Sequence, residues 1–333
     1  MKRLLTGDRP TGKLHLGHWV GSLRNRVRLQ YEYECYFVVA DYHLLTTQLE
    51  NLGEVRHNIR DLVLDYLSVG IDPDVSTVYV QSLIPEITDL HLLFSMMVSV
   101  PRLERVPTLK EIVRNLNLES ASYGLLGYPV LQAADILMVK AEVVPVGRDQ
   151  LPHIEVTREI ARKFNQLYGP VLPQPEPVIS EEPVLVGTDG RTKMSKSIGN
   201  AIFLSDSHEV VDKKVMSMYT DPRRIRADIP GRVEGNPVFI YHELFNNDKD
   251  EVEALKHRYR TGTVGDVEVK RRLARALNEF LDPIRKRREH FEQRPSLVED
   301  VIARGSQKAR TIACDTLTEI RRAMKFDHFG WKC

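Results

Sequence analysis

GDRPTGKLHLGH, residues 7–18, is the stretch on which the reading of this chain turns. Its first seven residues match the front of a phosphate loop, G-x-x-x-x-G-K, but Leu14 stands where that pattern needs Ser or Thr. Its last four, His15-Leu16-Gly17-His18, set two imidazoles around a glycine where a helical repeat begins. Both readings place a nucleotide at a strand-to-helix junction, where free backbone N–H groups and the helix dipole attract phosphate.

For a phosphate loop speaks the next strand candidate, which ends in Asp41 after Phe37-Val-Val-Ala40 in the manner of a magnesium-binding strand end. Against it, Leu14 has no oxygen for a metal, Pro10 lacks a backbone donor, and helical spacing starts three residues after Lys13. The histidine pair fits phosphate oxygens, with Gly17 leaving room for a nucleotide at the backbone. Taken alone, His at i and i+3 is also a common surface pair. A metal site lacks a third ligand at a suitable spacing.

Outward from this junction the chain alternates. Lys2–Thr6 is a short strand candidate, and Leu16, Val20, Leu23, Val27 and Tyr31 recur at helical spacing. CYFVVAD (35–41) has the continuous apolar run of a strand buried on both faces of a parallel sheet. Val55, Ile59, Leu62, Val63, Tyr66 and Leu67 mark a second helix stopped by Gly70, STVYVQS (76–82) a third strand, and Leu90–Val100 an apolar helix. Helix 129–140, strand 142–146 and helix 150–168 follow, closed by Gly169-Pro170. The Pro-rich PVLPQPEP (170–177) then reads as a stiff connection into the loop GTDGRTKMSKSIGN (187–200). Beyond about residue 205 only helical periodicity remains. The expected fold is α/β: a Rossmann-like parallel-sheet catalytic domain over 1–205, followed by an all-helical domain over 206–333.

At 333 residues and 42% hydrophobic the chain can bury a sizeable core, which argues against disorder. A net charge of +1 excludes a generally basic coat for nucleic acid but not a local basic face. Basic residues do mix with helically spaced apolar ones at 270–280, 284–294 and 307–325, as they also do on ordinary solvated helices. Cys35, Cys314 and Cys333 form no C-x-x-C pair and leave an odd cysteine over, so neither a disulfide framework nor a structural zinc is expected. The N-terminus lacks the apolar core of a signal peptide, and no run reaches membrane-spanning length. A reducing, cytoplasmic setting follows as the expectation.

The second chemical motif is Lys193-Met194-Ser195-Lys196-Ser197. Alone it is an exposed basic turn. In a Gly-flanked loop after the α/β segments, a mobile arm there could bring two ammonium groups onto a triphosphate already held at His15 and His18.

H-x-G-H near the N-terminus with K-M-S-K-S about 175 residues later resembles the signature pair of class I aminoacyl-tRNA synthetases. GYPVLQAADIL (127–137) and VVPVGRDQLPHIEVTRE (143–159) are similar to stretches of the bacterial-type tryptophanyl-tRNA synthetase family, and the likeness runs along almost the whole chain. The resemblance implies an ATP site made of Arg9, Pro10, Thr11, Gly17, His18, Gly147, Arg148, Asp149, Val184, Lys193, Met194, Ser195, Lys196 and Ser197. It implies a tryptophan pocket of His43, Tyr128, Gln132, Asp135 and Gln150, in which Asp135 accepts the indole N–H. The reaction it implies is tryptophan activation by ATP, with Mg2+, then transfer to the 2′-hydroxyl of the terminal adenosine of tRNA(Trp). His15, His18, Lys193 and Lys196 would carry the catalysis, the helical domain would bind the anticodon, and a homodimer is implied. A tyrosyl-specific relative, or a divergent copy with a binding or regulatory role, are the alternatives. The family commonly has an apolar residue and Gln at the positions of Asp8 and Arg9, an acidic residue at Arg148, and Met at Gln132.

Overall fold

Five runs rich in β-branched and aromatic residues form one sheet, and helices between them supply the crossovers that parallel strands need. The structure is a computed structural model that describes residues 1–50, 52–115, 118–179, 184–331 and 333. Strands β1 (Arg3–Asp8), β2 (Glu34–Val39), β3 (Thr77–Val80), β4 (Val143–Val146) and β5 (Glu176–Ile179) pair all-parallel in the order β3-β2-β1-β4-β5. Cys35–Val39 of β2 is buried throughout, as an apolar run covered on both faces should be. The order reverses between β1 and β4, which opens a crevice at their carboxyl ends, next to Asp8-Arg9 and Gly147.

Three expectations change. The Pro-rich segment is not only a connection: Glu176–Ile179 adds the fifth strand, and Pro177 is tolerated there because β5 is an edge strand. The helix after the opening stretch is broken into Leu16–His18, a π-helical turn over Trp19–Leu23, and Arg24–Leu29. Its register therefore slips, so that Leu29 is buried and Tyr31 is 63% exposed. Cys314 and Cys333 are disulfide-bonded with Cα atoms 5.4 Å apart, against the expectation of unpaired thiols, and only Cys35 is free. Their long separation from Cys35 hides a local pair, because the chain after helix Pro295–Ala323 doubles back onto that helix.

The helical segment does not stand apart from the sheet. Helix Pro295–Ala323 covers the open edge at β3, where the Ser306 hydroxyl accepts the Val80 N–H at 3.2 Å. A Cβ on Gly305 would lie 1.8 Å from the Val78 carbonyl oxygen, so only glycine permits this approach. Leu281 and Ile284 of helix Asp266–Glu292 share a core with Leu62, Val63 and Tyr66 of helix Val55–Val69. Several residues of the basic runs are spent inside: Lys270 is buried and donates to the carbonyls of Met216 and Met218, and Arg288 is buried against Asp61 and Asp65. Among the described residues no helix is long and apolar enough to cross a membrane.

Candidate active site

The opening stretch is not a phosphate loop. The Leu14 N–H, which such a loop would aim at phosphate, donates to Asp65 Oδ2 at 2.7 Å, and the Leu16 N–H goes to the Ile202 carbonyl at 3.0 Å. Asp41 does not face the loop as a metal ligand; its Oδ1 accepts the backbone N–H groups of Tyr42 and Ser82. Lys13 is exposed.

The histidines instead form a reciprocal cap. The Gly17 N–H donates to His15 Nδ1 at 3.2 Å, and the His15 N–H donates to His18 Nδ1 at 3.1 Å. Both Nδ1 atoms are thus acceptors, which leaves each ring's proton on Nε2. Burial, with the charges of His18, Lys196 and Lys193 added, pushes the His15 imidazole down to about 3. Burial likewise lowers His18 to about 4, with Asp8 opposing and Lys196 assisting. At neutral pH the pair consists of two uncharged N–H donors.

The Lys193–Ser197 motif comes to the same place in a hydrogen-bonded hairpin. Gly187 and Thr192 pair across it, Met194 donates its N–H to the Leu185 carbonyl, and the Met194 side chain is buried beside Gly17. Asn200, absent from the sequence reading, organises the turn: its Nδ2 donates to Asp189, Thr192 and the Lys193 carbonyl, and its Oδ1 accepts the Ser195 N–H at 2.7 Å. Lys196 Nζ donates to the Gly12 carbonyl at 2.8 Å and to Thr11 Oγ1 at 3.3 Å. Burial lowers the Lys196 ammonium below its ordinary value, although Asp65 and Asp8 favour the charge. Arg9, Thr11, His15, Gly17, His18 and Lys193–Ser197 line one open cavity of about 860 Å³.

A second cavity, of about 530 Å³, lies at the sheet crevice and is lined by Arg9, His43, Tyr128, Gln132, Asp135, Gly147, Gln150 and Lys193. It shares Arg9, Gly21, Ser22 and Lys193 with the first, so the two adjoin. Asp135 is 2% exposed and takes three hydrogen bonds: Gln81 Nε2 donates to Oδ1 at 2.8 Å and to Oδ2 at 2.9 Å, and His43 Nε2 donates to Oδ2 at 2.8 Å. Oδ1 therefore keeps a lone pair for one further donor. Tyr128 packs edge-on between His43 and His153, with centroids 4.4 and 5.4 Å away. Gln132, where the family commonly has Met, is explained by His153, whose Nδ1 lies 2.7 Å from Gln132 Oε1 while its Nε2 faces Thr108 Oγ1 at 2.5 Å. Burial pushes His153 down to about 4. Asp8, also unusual, is neutralised by Arg26 at 2.6 Å and by the Tyr66 hydroxyl at 2.7 Å; burial would raise its carboxyl, but these partners hold it low.

Pro10, Arg148, Asp149 and Val184, expected around ATP, line neither cavity, and Val184 is 66% exposed. Gln81, His153 and Asn200 were missed. Buried polar side chains next to motif residues are the signal that could have found Gln81, which follows a strand end as Asp41 does.

The family model for class I tRNA synthetases (W and Y) matches residues 1–282. A tryptophan--tRNA ligase of Treponema pallidum is 56% identical over 326 residues, covering 97% of each chain. Its counterpart in Borreliella burgdorferi is 54% identical over 96% of this chain and 93% of its own. The crystal structure of tryptophanyl-tRNA synthetase from Campylobacter jejuni, complexed with ADP and tryptophan, superposes with a TM-score of 0.88 at 33% identity, covering 97% of this chain and 99% of that one. Fold, paired cavities and full-length likeness agree: the chain belongs to the tryptophanyl-tRNA synthetases, within the class I synthetases for tryptophan and tyrosine.

Proposed function

We propose that this chain activates L-tryptophan with ATP, releasing pyrophosphate, and passes the tryptophanyl group to tRNA(Trp). The observation that carries the reading is the junction of the two cavities at Arg9 and Lys193. An amino-acid carboxylate held in the inner cavity would then meet the α-phosphate of a nucleotide held in the outer one. Catalysis is then alignment and charge stabilisation, with no protein nucleophile. The neutral His15 and His18 donate from Nε2 to phosphate oxygens, and Lys193 and Lys196 offset charge that builds on the leaving pyrophosphate. Lys196 donates to the Gly12 carbonyl and the Thr11 hydroxyl, contacts that phosphate oxygens would replace.

In the inner cavity Asp135 takes the indole N–H on its remaining lone pair, while Tyr128 and Gln150 hold the amino-acid end. Buried carboxylates of this kind reject an analogue without the N–H, because the oxygen is then left unpaired. The outer cavity offers hydroxyls from Thr11, Ser22, Ser195 and Ser197 but, among the described residues, no carboxylate. Mg2+ would be held chiefly by the phosphates of ATP, with the hydroxyls of Thr11, Ser22, Ser195 and Ser197 nearby, and would supply positive charge against the leaving pyrophosphate. Residues 206–333 would bind the anticodon arm through exposed basic groups such as Arg271 and Lys286. A homodimer is supported by Leu92 and Met96, four residues apart and 55% and 70% exposed, next to Val100 at 53%. A reaction on tRNA supports a cytoplasmic setting for the chain.

Tryptophan-dependent exchange of pyrophosphate into ATP tests the reading. Lys196→Ala and His18→Ala should each slow exchange by roughly a hundredfold or more, at nearly unchanged tryptophan affinity. Lys13→Ala should be mild. The opposite order would restore the phosphate loop and remove the synthetase assignment of the site.

A further inference from the structure

We propose that Cys314, Cys333 and Glu86 are a binding site for a thiophilic divalent cation, zinc by its ligand chemistry, occupied when the disulfide is reduced. It lies where helix Pro295–Ala323, the chain that follows it and the start of helix Glu86–Ser95 meet, outside both cavities of the active site.

Three observations converge. One ligand atom from each residue, two sulfurs and a carboxylate oxygen, lies within 4.8 Å of the others. Glu86 Oε1 faces both sulfurs, at 3.4 Å from Cys314 and 3.5 Å from Cys333. A disulfide carries no thiol proton, so in the oxidised state these are lone pairs facing lone pairs. A cation between them turns that arrangement into attraction. Lastly, Glu86 is only 6% exposed and its Oε2 has no partner among the described residues, while Oε1 has the half-exposed Arg310 at 3.0 Å. A buried carboxylate oxygen without a donor costs free energy unless something occupies it.

The donor set suits zinc: two thiolates and a carboxylate, with a fourth position open to water, is a tetrahedral arrangement. Zn–S bonds of about 2.3 Å separate two sulfurs by roughly 3.8 Å at the tetrahedral angle, a spacing reached once the S–S bond is broken. Charge also closes, since two thiolates and one carboxylate against Zn2+ leave a single negative charge beside Arg310. Cys333 is exposed, which gives the ion a way in. Cys35 does not compete, because burial and then Glu32 push its thiol up to about 12.

The steps balance. A dithiol reductant gives two electrons and two protons to the Cys314–Cys333 bond and leaves as its own disulfide, and zinc then displaces both thiol protons to solvent. Either bond, S–S or S–Zn–S, ties the following chain to the helix, where Trp331 already stacks 4.2 Å from the Arg321 guanidinium.

The test is metal content of the full chain, incubated with zinc alone after reduction by a dithiol and desalting. The reduced protein should hold about one zinc per chain and the oxidised protein none. Cys333→Ser, at an exposed position that leaves the fold intact, should abolish retention. Glu86→Gln should weaken it by at least the roughly 10- to 100-fold that loss of even an outer-sphere partner costs. Cobalt in place of zinc should show thiolate-to-metal charge-transfer absorption that Cys314→Ser and Cys333→Ser each diminish. No zinc on the reduced chain, full retention in Cys333→Ser, or unchanged affinity in Glu86→Gln each overturns the proposal.

Discussion

Asp135 and its two donors show how a single buried carboxylate is held in one orientation. Gln81 is fully buried, and its Oε1 accepts the Tyr42 N–H at 3.0 Å, which fixes the amide so that its NH2 can only face Asp135. Replacing Gln81 by Met keeps volume and removes the donor, so Asp135 loses two of its three hydrogen bonds. Exchange with tryptophan should fall roughly 10- to 100-fold and discrimination against tyrosine should narrow, measured as the ratio of kcat/KM for the two amino acids. An unchanged ratio would show that His43 alone orients the carboxylate. His153 offers a second test. The folded ring stays neutral down to about 4, whereas in the unfolded chain it takes a proton near 6.5. Its contribution is therefore complete above pH 6.5 and is lost as pH falls toward 4, by up to about 3 kcal/mol. Chemical unfolding across that range should show a flatter pH profile for His153→Gln than for the parent protein.

At the scale of elements, the contact between the last long helix and the sheet edge rests on one missing side chain. Gly305→Ala places a methyl group inside the van der Waals distance of the Val78 backbone, which cannot move without breaking β3 from β2. The helix must lift, and the Ser306–Val80 hydrogen bond is lost with it. A destabilisation of roughly 3 kcal/mol or more is expected, read as a lowered Tm and as loss of amide protection at Val80. A Tm within a degree or two of the parent's would mean that the edge is not held by this helix. The motif loop works differently: Met194 anchors it in the core, and Asn200 supplies four hydrogen bonds that shape the turn around it.

Across the whole molecule, the nucleotide loop is coupled to the helical segment through charge. Arg288 binds Asp65 at 2.5 Å and Asp61 at 2.7 Å, and Asp65 in turn holds the Leu14 N–H. Burial raises the Asp65 carboxyl to about 6, with Arg288 pulling it back. Without the guanidinium its folded pKa climbs further above the unfolded value, so stability is kept at low pH and lost as pH rises. Arg288→Met should therefore cost about 3–5 kcal/mol, more at pH 8 than at pH 6, and raise the KM for ATP through a loosened Leu14. Equal loss at both pH values would argue that Asp65 is not the group left unpaired.

The periodicity of β2 and of helix Val55–Val69, and the two motifs with their order, were legible in the chain because they depend on local geometry and on short spacings. The residues expected around ATP and tryptophan came from the family resemblance and not from local pattern, and of these Pro10, Arg148, Asp149 and Val184 line neither cavity. The fifth strand was not legible, since Pro177 argues against a strand until its position at an edge is known. The disulfide, the Gln81–Asp135–His43 cluster and the Arg288–Asp65–Leu14 chain were not legible either. Each joins side chains 19 to 223 residues apart, and sequence separation carries no record of which buried polar groups must satisfy one another. What the sequence by itself determined is an α/β nucleotide-binding unit followed by helices, with the H-x-G-H and K-M-S-K-S chemistry. Only the tertiary structure decided that the histidines are neutral donors, that Leu14 closes the phosphate-loop question, and that the helical segment is built into the sheet edge, because burial and partner geometry, not residue type, set each of these.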